Sequence, residues 1–215
     1  MDKTLQVSEI YESVQGESGW AGKPCTFIRL TGCPLRCRWC DTVYGFKGGD
    51  NLSIAKIVEK ALAYKTRLVE LTGGEPMAQA DCIPLMEALN RNGFEILIET
   101  SGSVLLDKVP SYVNIIMDLK CPGSGMEQHN RYENLRYLKK TDELKFVVAT
   151  YEDFLWAMDT IQKFELEELC QLLISPAWGL VKPDQLVSWM LETGVKARLN
   201  LQLHKYIWSP KAKGV

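Results

Sequence analysis

Cys33-Pro34-Leu35-Arg36-Cys37-Arg38-Trp39-Cys40-Asp41-Thr42 decides how the rest of the chain is read: three thiols spaced C-x3-C-x2-C follow directly on the strand-like run Thr26-Phe27-Ile28-Arg29-Leu30. A thiolate is a soft, anionic ligand, and three thiolates this close together face one centre only if the backbone curls around it, which Gly32 and Pro34 assist. The curl implies a metal or a cluster. The histidines of the chain are His129 and His204, neither of them near the loop, so a closed four-ligand zinc site would need a remote Cys or His. A [4Fe-4S] cluster held by three cysteines keeps one iron open to a ligand that is not protein. Both readings stand on the loop alone.

Outward from the loop, strand and helix patterns alternate. Residues 5–14 read as extended and lead into Gln15-Gly16-Glu17-Ser18-Gly19-Trp20-Ala21-Gly22, whose glycines mark a loop able to approach a ligand closely. Asn51-Leu52-Ser53 reads as a helix start with Ser53 as its cap, ahead of Ile54, Ile57, Val58, Ala61 and Leu62 at helical spacing. Strands are predicted over 68–71, 95–100, 113–120, 144–148, 169–174 and 197–203, and helices over 83–89, 131–138, 153–164 and 183–193. Such alternation implies an α/β fold with a largely parallel sheet covered by helices. Eight strand-helix units take about 250 residues, so this chain predicts an incomplete TIM-type barrel of about six parallel strands. No repeat or linker divides residues 1–215, and one domain is expected. Ligands of such folds gather at C-terminal strand ends, which is where Cys33 to Cys40, Thr72-Gly73-Gly74-Glu75-Pro76, Thr100-Ser101-Gly102, Lys120 and Ser175-Pro176 fall.

A net charge of −2 gives no electrostatic reason to expect nucleic acid or an anionic membrane as partner, and points to a small-molecule substrate. No charged segment with an apolar stretch opens the sequence, and no apolar run reaches membrane-spanning length. Seven cysteines, three of them clustered, fit a reducing compartment, so the expected location is cytoplasmic. Cys25, Cys82, Cys121 and Cys170 sit in or beside apolar runs and read as small buried hydrophobes.

Several polar residues stay ambiguous on chemistry alone. In Gly73-Gly74-Glu75-Pro76, two positions without side chains let the backbone meet a ligand, and Glu75 adds an anion able to orient an ammonium; a plain strand-to-helix turn is the alternative. Arg29 either pairs with Glu17 or presents its planar fork to a substrate carboxylate. The Thr42 hydroxyl serves a turn or a metal, and His204 is by default a satisfied core histidine.

The cysteine spacing and the Gly-Gly-Glu-Pro segment together resemble radical S-adenosylmethionine (SAM) enzymes. The resemblance implies that the open iron chelates the amino and carboxylate groups of SAM, that the reduced cluster cleaves it to a 5′-deoxyadenosyl radical, and that Gly-Gly-Glu-Pro receives the methionyl amino group. Ser13-Val14-Gln15-Gly16-Glu17, Phe27-Ile28-Arg29-Leu30-Thr31-Gly32-Cys33, Trp39-Cys40-Asp41-Thr42, Thr72-Gly73-Gly74-Glu75-Pro76, Ile98-Glu99-Thr100-Ser101-Gly102 and His204-Lys205-Tyr206, in this order, are similar to the 7-carboxy-7-deazaguanine synthases. That resemblance covers nearly the whole chain. It implies a homodimeric lyase that converts 6-carboxy-5,6,7,8-tetrahydropterin to 7-carboxy-7-deazaguanine and ammonia on the way to queuosine and other deazapurines. It also implies a [4Fe-4S] cluster, SAM and Mg2+ as cofactors, and an electron donor such as flavodoxin or ferredoxin.

Carried over residue by residue, the resemblance assigns the cluster to Cys33, Cys37 and Cys40 and Mg2+ to Thr42. SAM falls to Trp39, Cys40, Asp41, Gly74, Leu119, Lys120, Ser175, Pro176, Ala177 and Trp178, and the pterin to Val14, Gln15, Gly16, Glu17, Arg29 and Thr72. The chain departs from some members in having Asp118-Leu119-Lys120 where they have Ser-Pro-Lys. It also continues through Lys211 to Val215 where they end on a carboxylate that touches substrate, so that contact is not carried over. A glycyl-radical-enzyme activase shares the cysteine loop and Gly-Gly-Glu-Pro but acts on a protein. It and a zinc-stabilised binding module are the alternatives.

Overall fold

A computed structural model describes residues 3–215. One nine-stranded sheet runs through them, built from β1 (Thr4–Val14), β2 (Pro24–Leu30), β3 (Asp50–Ser53), β4 (Leu68–Gly73), β5 (Glu95–Thr100), β6 (Asn114–Leu119), β7 (Glu143–Val148), β8 (Gln171–Pro176) and β9 (Ala197–Leu199). The order is β3-β1-β2-β4-β5-β6-β7-β8-β9, parallel from β2 to β9, with β1 antiparallel to both β2 and β3. Monotonic order in parallel strands is the winding of a barrel, and the ends at β3 and β9 leave it open. The expected six parallel strands are β2 and β4 to β8, with short β9 extending them.

Helices α1 (Ile54–Leu62), α2 (Cys82–Arg91), α3 (Tyr151–Lys163) and α4 (Pro183–Thr193) cover the outside, and a short α5 (His204–Ile207) follows β9. Ser53 caps α1 as expected, its hydroxyl accepting from Lys56 N–H. Two expectations fail and a third is incomplete. Asn51 to Ser53, read as the helix start, do run into α1 but also pair with β1 as β3. Residues 131–138 form a 3-10 segment, Tyr132–Tyr137, because the Asn134 side chain leaves the local ladder to bond Leu106 N–H and the Gly102 and Val104 carbonyls. The last strand stops at Leu199, since Leu203 N–H turns away to the Gly16 carbonyl at 2.7 Å.

Side-chain alternation sorts every parallel strand into two faces. Outward, Ile28, Leu30, Val69, Leu71, Ile96, Ile98, Ile115, Met117, Leu144, Phe146, Leu172 and Ile174 form the large core with the helices. Cys82, Cys121 and Cys170 are buried there, as their apolar settings predict. Inward, Cys25, Phe27, Leu68, Leu97 and Ile116 make a smaller apolar plug, with Tyr11 and Trp20 against it. The β1–β2 loop crosses this end of the barrel: Gly19 N–H reaches Glu143 at the start of β7 (2.8 Å), and Ser18 N–H reaches Asn200 (2.6 Å).

Because Phe146 is fully buried between β7 and the helices, Phe146→Ala is expected to lower unfolding free energy by about 3–5 kcal/mol in urea titration. Leu191→Ala, at a side chain 78% exposed, should stay within about 0.5 kcal/mol. Equal costs would contradict the assigned faces.

Candidate active site

The cysteine loop and the Gly-Gly-Glu-Pro segment are joined by backbone. β2 and β4 end side by side, with Leu30 opposite Gly73, and pairing continues beyond them: Gly74 N–H donates to Leu30 O (3.1 Å) and Glu75 N–H to Gly32 O (2.8 Å). Gly73 holds φ +130°, and a Cβ there would lie 2.1 Å from Leu30 O; a Cβ on Gly74 would lie 1.9 Å from Gly32 O. Only glycine lets the two backbones meet this closely. Glu75, expected to face a ligand ammonium, is instead fully buried. Its carboxylate accepts from Thr100 Oγ1 (2.8 Å), Ser101 N–H (2.7 Å), the Ser101 hydroxyl and Met77 N–H (3.0 Å), so it braces β4 against the end of β5.

Cys33, Cys37 and Cys40 are half-buried, unpaired, and line one cavity of about 270 Å3 at the C-terminal strand ends. Burial pushes all three thiols above the ordinary cysteine range, and Lys120 pulls in the opposite direction. Among the described residues, no three His, Cys, Asp or Glu side chains close on a point as a single metal ion requires. A cluster spreads its cysteines over separate irons, so three thiols around a shared space, backed by one ammonium, fit a [4Fe-4S] group.

Beneath the loop, the inward faces of the strands carry charge. Lys145 of β7 is 4% exposed and bridges Glu17 of the β1–β2 loop (3.0 Å) and Glu99 of β5. Burial opposes the charged form of Lys145, but the two carboxylates outweigh it and hold the ammonium well above the usual lysine range. For Glu99, burial likewise opposes ionisation and Lys145 overrides it, drawing the carboxyl down. Glu17 also accepts from Gln202 (2.9 Å), and Glu99 from Thr72 (3.1 Å). Arg29 pairs with Glu9 through Nε (2.7 Å) rather than with Glu17, and donates Nη2 to the Tyr11 hydroxyl (3.0 Å). Its Nη1 keeps no partner among the described residues. Tyr44, just past the cysteine loop, donates to the same Glu9 oxygen (2.8 Å).

The cavity gathers Val14, Gln15, Gly16, Glu17, Arg29, Thr72, Trp39, Asp41, Thr42, Gly74, Lys120, Ser175 and Trp178 with the cysteines. Leu119, Pro176 and Ala177 do not line it. Leu119 shares the outward phase of Ile115 and Met117 and packs in the core, so the residues of β6 and its end that turn inward are Asp118 and Lys120, joined at 2.7 Å. Ala177 is 1% exposed and donates its N–H to Val148 O. His204 is not a core residue: it lines the cavity, and Gly16 is bare because a Cβ there would stand 2.2 Å from His204 Nδ1. Lys205 pairs with Asp41 at 2.7 Å, tying α5 to the cysteine loop. The segment after α5 folds back so that Ser209, Pro210 and Lys213 line the same cavity, with Lys213 Nζ 4.2 Å from the Tyr44 ring centre. Lys145, Glu70, Glu99 and Asp118 escaped the sequence reading. Their signal was a charge set within or at the end of an apolar run, Leu68-Val69-Glu70-Leu71, Ile96-Leu97-Ile98-Glu99, Ile116-Met117-Asp118-Leu119 and Leu144-Lys145-Phe146.

Residues 27–174 match the radical SAM superfamily, and the chain belongs to that superfamily of cluster-dependent enzymes. Within it, the chain is 43% identical to the 7-carboxy-7-deazaguanine synthase of Koribacter versatilis, across 98% of this chain and the full length of that one. It is 41% identical to the enzyme of the same name from Chlorobaculum tepidum, across 98% and 97% of the two chains. It is therefore a member of the 7-carboxy-7-deazaguanine synthase family. The crystal structure of QueE from Escherichia coli has the same fold, with a TM-score of 0.77 at 22% identity over 94% of this chain and 95% of that one.

Since Glu75 satisfies four donors in the interior, Glu75→Ala is expected to destabilise the protein by about 3 kcal/mol or more, read as a lowered urea midpoint. A midpoint equal to that of the unaltered chain would instead return Glu75 to ligand binding.

Proposed function

We propose that this chain converts 6-carboxy-5,6,7,8-tetrahydropterin to 7-carboxy-7-deazaguanine with release of ammonia, as a cytoplasmic homodimer served by a flavodoxin- or ferredoxin-type electron donor. The observation that carries the reading is a single cavity whose upper wall holds three thiols and whose inner wall holds Glu17, Arg29, Glu70, Thr72, Glu99 and Lys145. A pterin carboxylate needs a cation, and its bicyclic ring needs hydrogen-bonding partners on its edges; this wall supplies both. The names borne by the relatives agree.

Cys33, Cys37 and Cys40 would hold the cluster, and Trp39, Asp41, Gly74, Lys120, Ser175 and Trp178 would surround SAM. Bound together, cluster and SAM supply a carbon radical that removes hydrogen from the substrate. Arg29, fixed by Glu9 and Tyr11, offers its remaining guanidinium nitrogen to the substrate carboxylate. Thr42, which lines the same cavity with its hydroxyl 3.0 Å from Asp41 Oδ1, would supply an oxygen ligand to Mg2+. Glu17 and Glu99, both ion-paired with Lys145, orient N–H groups of the ring. The charged wall favours a small polar substrate over the protein substrate of an activase.

Anaerobic reconstitution, iron counting and turnover of the pterin with SAM test the reading. Cys33→Ala, Cys37→Ala and Cys40→Ala should each abolish iron binding and product while leaving a folded chain; product from any of the three would defeat the cluster assignment. Cys25→Ala, Cys82→Ala and Cys170→Ala should cost packing alone, about 1 kcal/mol. Thr42→Val keeps the shape and deletes the ligand oxygen. Its turnover should fall and lose Mg2+ dependence, and an unchanged Mg2+ response would count against Thr42 as a ligand.

A further inference from the structure

Glu70 stands apart among the inward-facing charges. Arg29 is paired with Glu9, Lys145 with Glu17 and Glu99, and Lys120 with Asp118, whereas Glu70 has no ion-pair partner among the described residues. It is 2% exposed and lines the cavity. One carboxyl oxygen accepts from the Gln15 amide; the other takes no hydrogen bond among the described residues and is not sealed off from open space. In the register of β4, Glu70 lies opposite Phe27 and Leu97, one inward position below Thr72, so it is the polar group at the floor of the cavity, resting on the apolar plug. Gln15 holds Glu70 through its amide nitrogen, while its amide oxygen accepts Glu17 N–H at 2.7 Å, so the side chain that positions Glu70 is itself fixed.

We propose that Glu70 is a specificity-determining residue, reading the lactam edge of the pterin ring through a paired hydrogen bond at the cavity floor, with Gln15 holding it in place. The inference rests on the substrate class proposed above. A buried, half-satisfied carboxyl is costly unless a ligand completes it. In the neutral form, a carboxylic acid sets an O–H donor beside a C=O acceptor, the complement of a ring C=O beside an N–H. The surroundings favour that form. Burial first, then the carboxylates of Glu99 and Glu17, push Glu70 well above the usual range, against Lys145. The titratable groups facing it are Tyr11 of β1, Cys25 of β2, Glu17 of the floor loop, Glu99 of β5 and Lys145 of β7, and only the last brings positive charge. The neutral acid therefore reads the substrate as an amide would.

The test uses the reconstituted enzyme and 6-carboxy-5,6,7,8-tetrahydropterin. Turnover by the unaltered chain establishes the substrate class, and its absence would defeat that reading independently of Glu70. Given turnover, Glu70→Leu is expected to raise KM roughly 10- to 100-fold, with kcat changed less. Glu70→Gln, which keeps the acceptor and replaces O–H by N–H, recovers most of that loss. The KM of the unaltered enzyme climbs toward alkaline pH as the acid ionises, and that climb is missing in Glu70→Gln. Fluorescence titration of the cluster-free protein with 7-carboxy-7-deazaguanine should rank the three in the same order without turnover, circular dichroism certifying the fold. Unaltered KM and product binding in Glu70→Leu would overturn the proposal. So would a Glu70→Gln variant as weak as Glu70→Leu, or the same alkaline climb in Glu70→Gln.

Discussion

The bridge from Lys145 to Glu17 and Glu99 is the interaction around which the inner face is arranged. An ammonium 4% exposed inside a barrel is tolerable only with carboxylates in contact, and the two half-buried carboxylates are stabilised by the same contact. Each partner comes from a different part of the chain: β7, the β1–β2 loop and β5. The bridge therefore draws the floor loop into the barrel and sets the height at which the apolar plug ends and the polar wall begins. Thr72, Asn200 and Gln202 supply further hydrogen bonds to the two carboxylates, so the network is closed on the protein side and its geometry is fixed before a ligand arrives.

A second constraint acts at the other end of the strands. The Gly73 and Gly74 backbone lies directly on Leu30 and Gly32, which makes the base of the cysteine loop a continuation of the sheet. Thiols carried on a free loop would have to be ordered by the cluster; here strand pairing orders the loop's entry, and the ion pair of Lys205 with Asp41 ties down its exit. Preorganisation of this kind places three ligands around one space at little entropic cost.

Strand and helix periodicity made most of the sheet legible in the sequence, because β4 to β8 are apolar runs bounded by glycine, proline and serine, and the cysteine spacing marked the centre of the site. Local pattern failed where tertiary contacts took over. Asp50 to Ser53 became an edge strand because β1 offers free backbone groups there, and the 131–138 segment was unwound by the Asn134 side chain. Leu119 was assigned to the site through the resemblance, but strand alternation turns its side chain outward and that of Asp118 inward. The charged layer was present in the sequence as isolated charges within otherwise buried strands. Their common height is a property of register, which no single strand reveals. The structural role of Glu75 was hidden for a related reason: its partners Thr100 and Ser101 lie at and just past the end of the next strand.

The open barrel ends on two short strands, β3 with four residues and β9 with three. An unclosed parallel sheet presents rows of unpaired backbone N–H and C=O groups at its borders, and a long, flat border is a template for pairing with strands of other molecules. Here the longest antiparallel strand, β1, is shielded by β3 over Thr4 to Val7, and on the far side β8 is shielded by β9. The outermost ladders of the open sheet are therefore short, and β3 and β9 themselves offer little purchase for aggregation by strand addition.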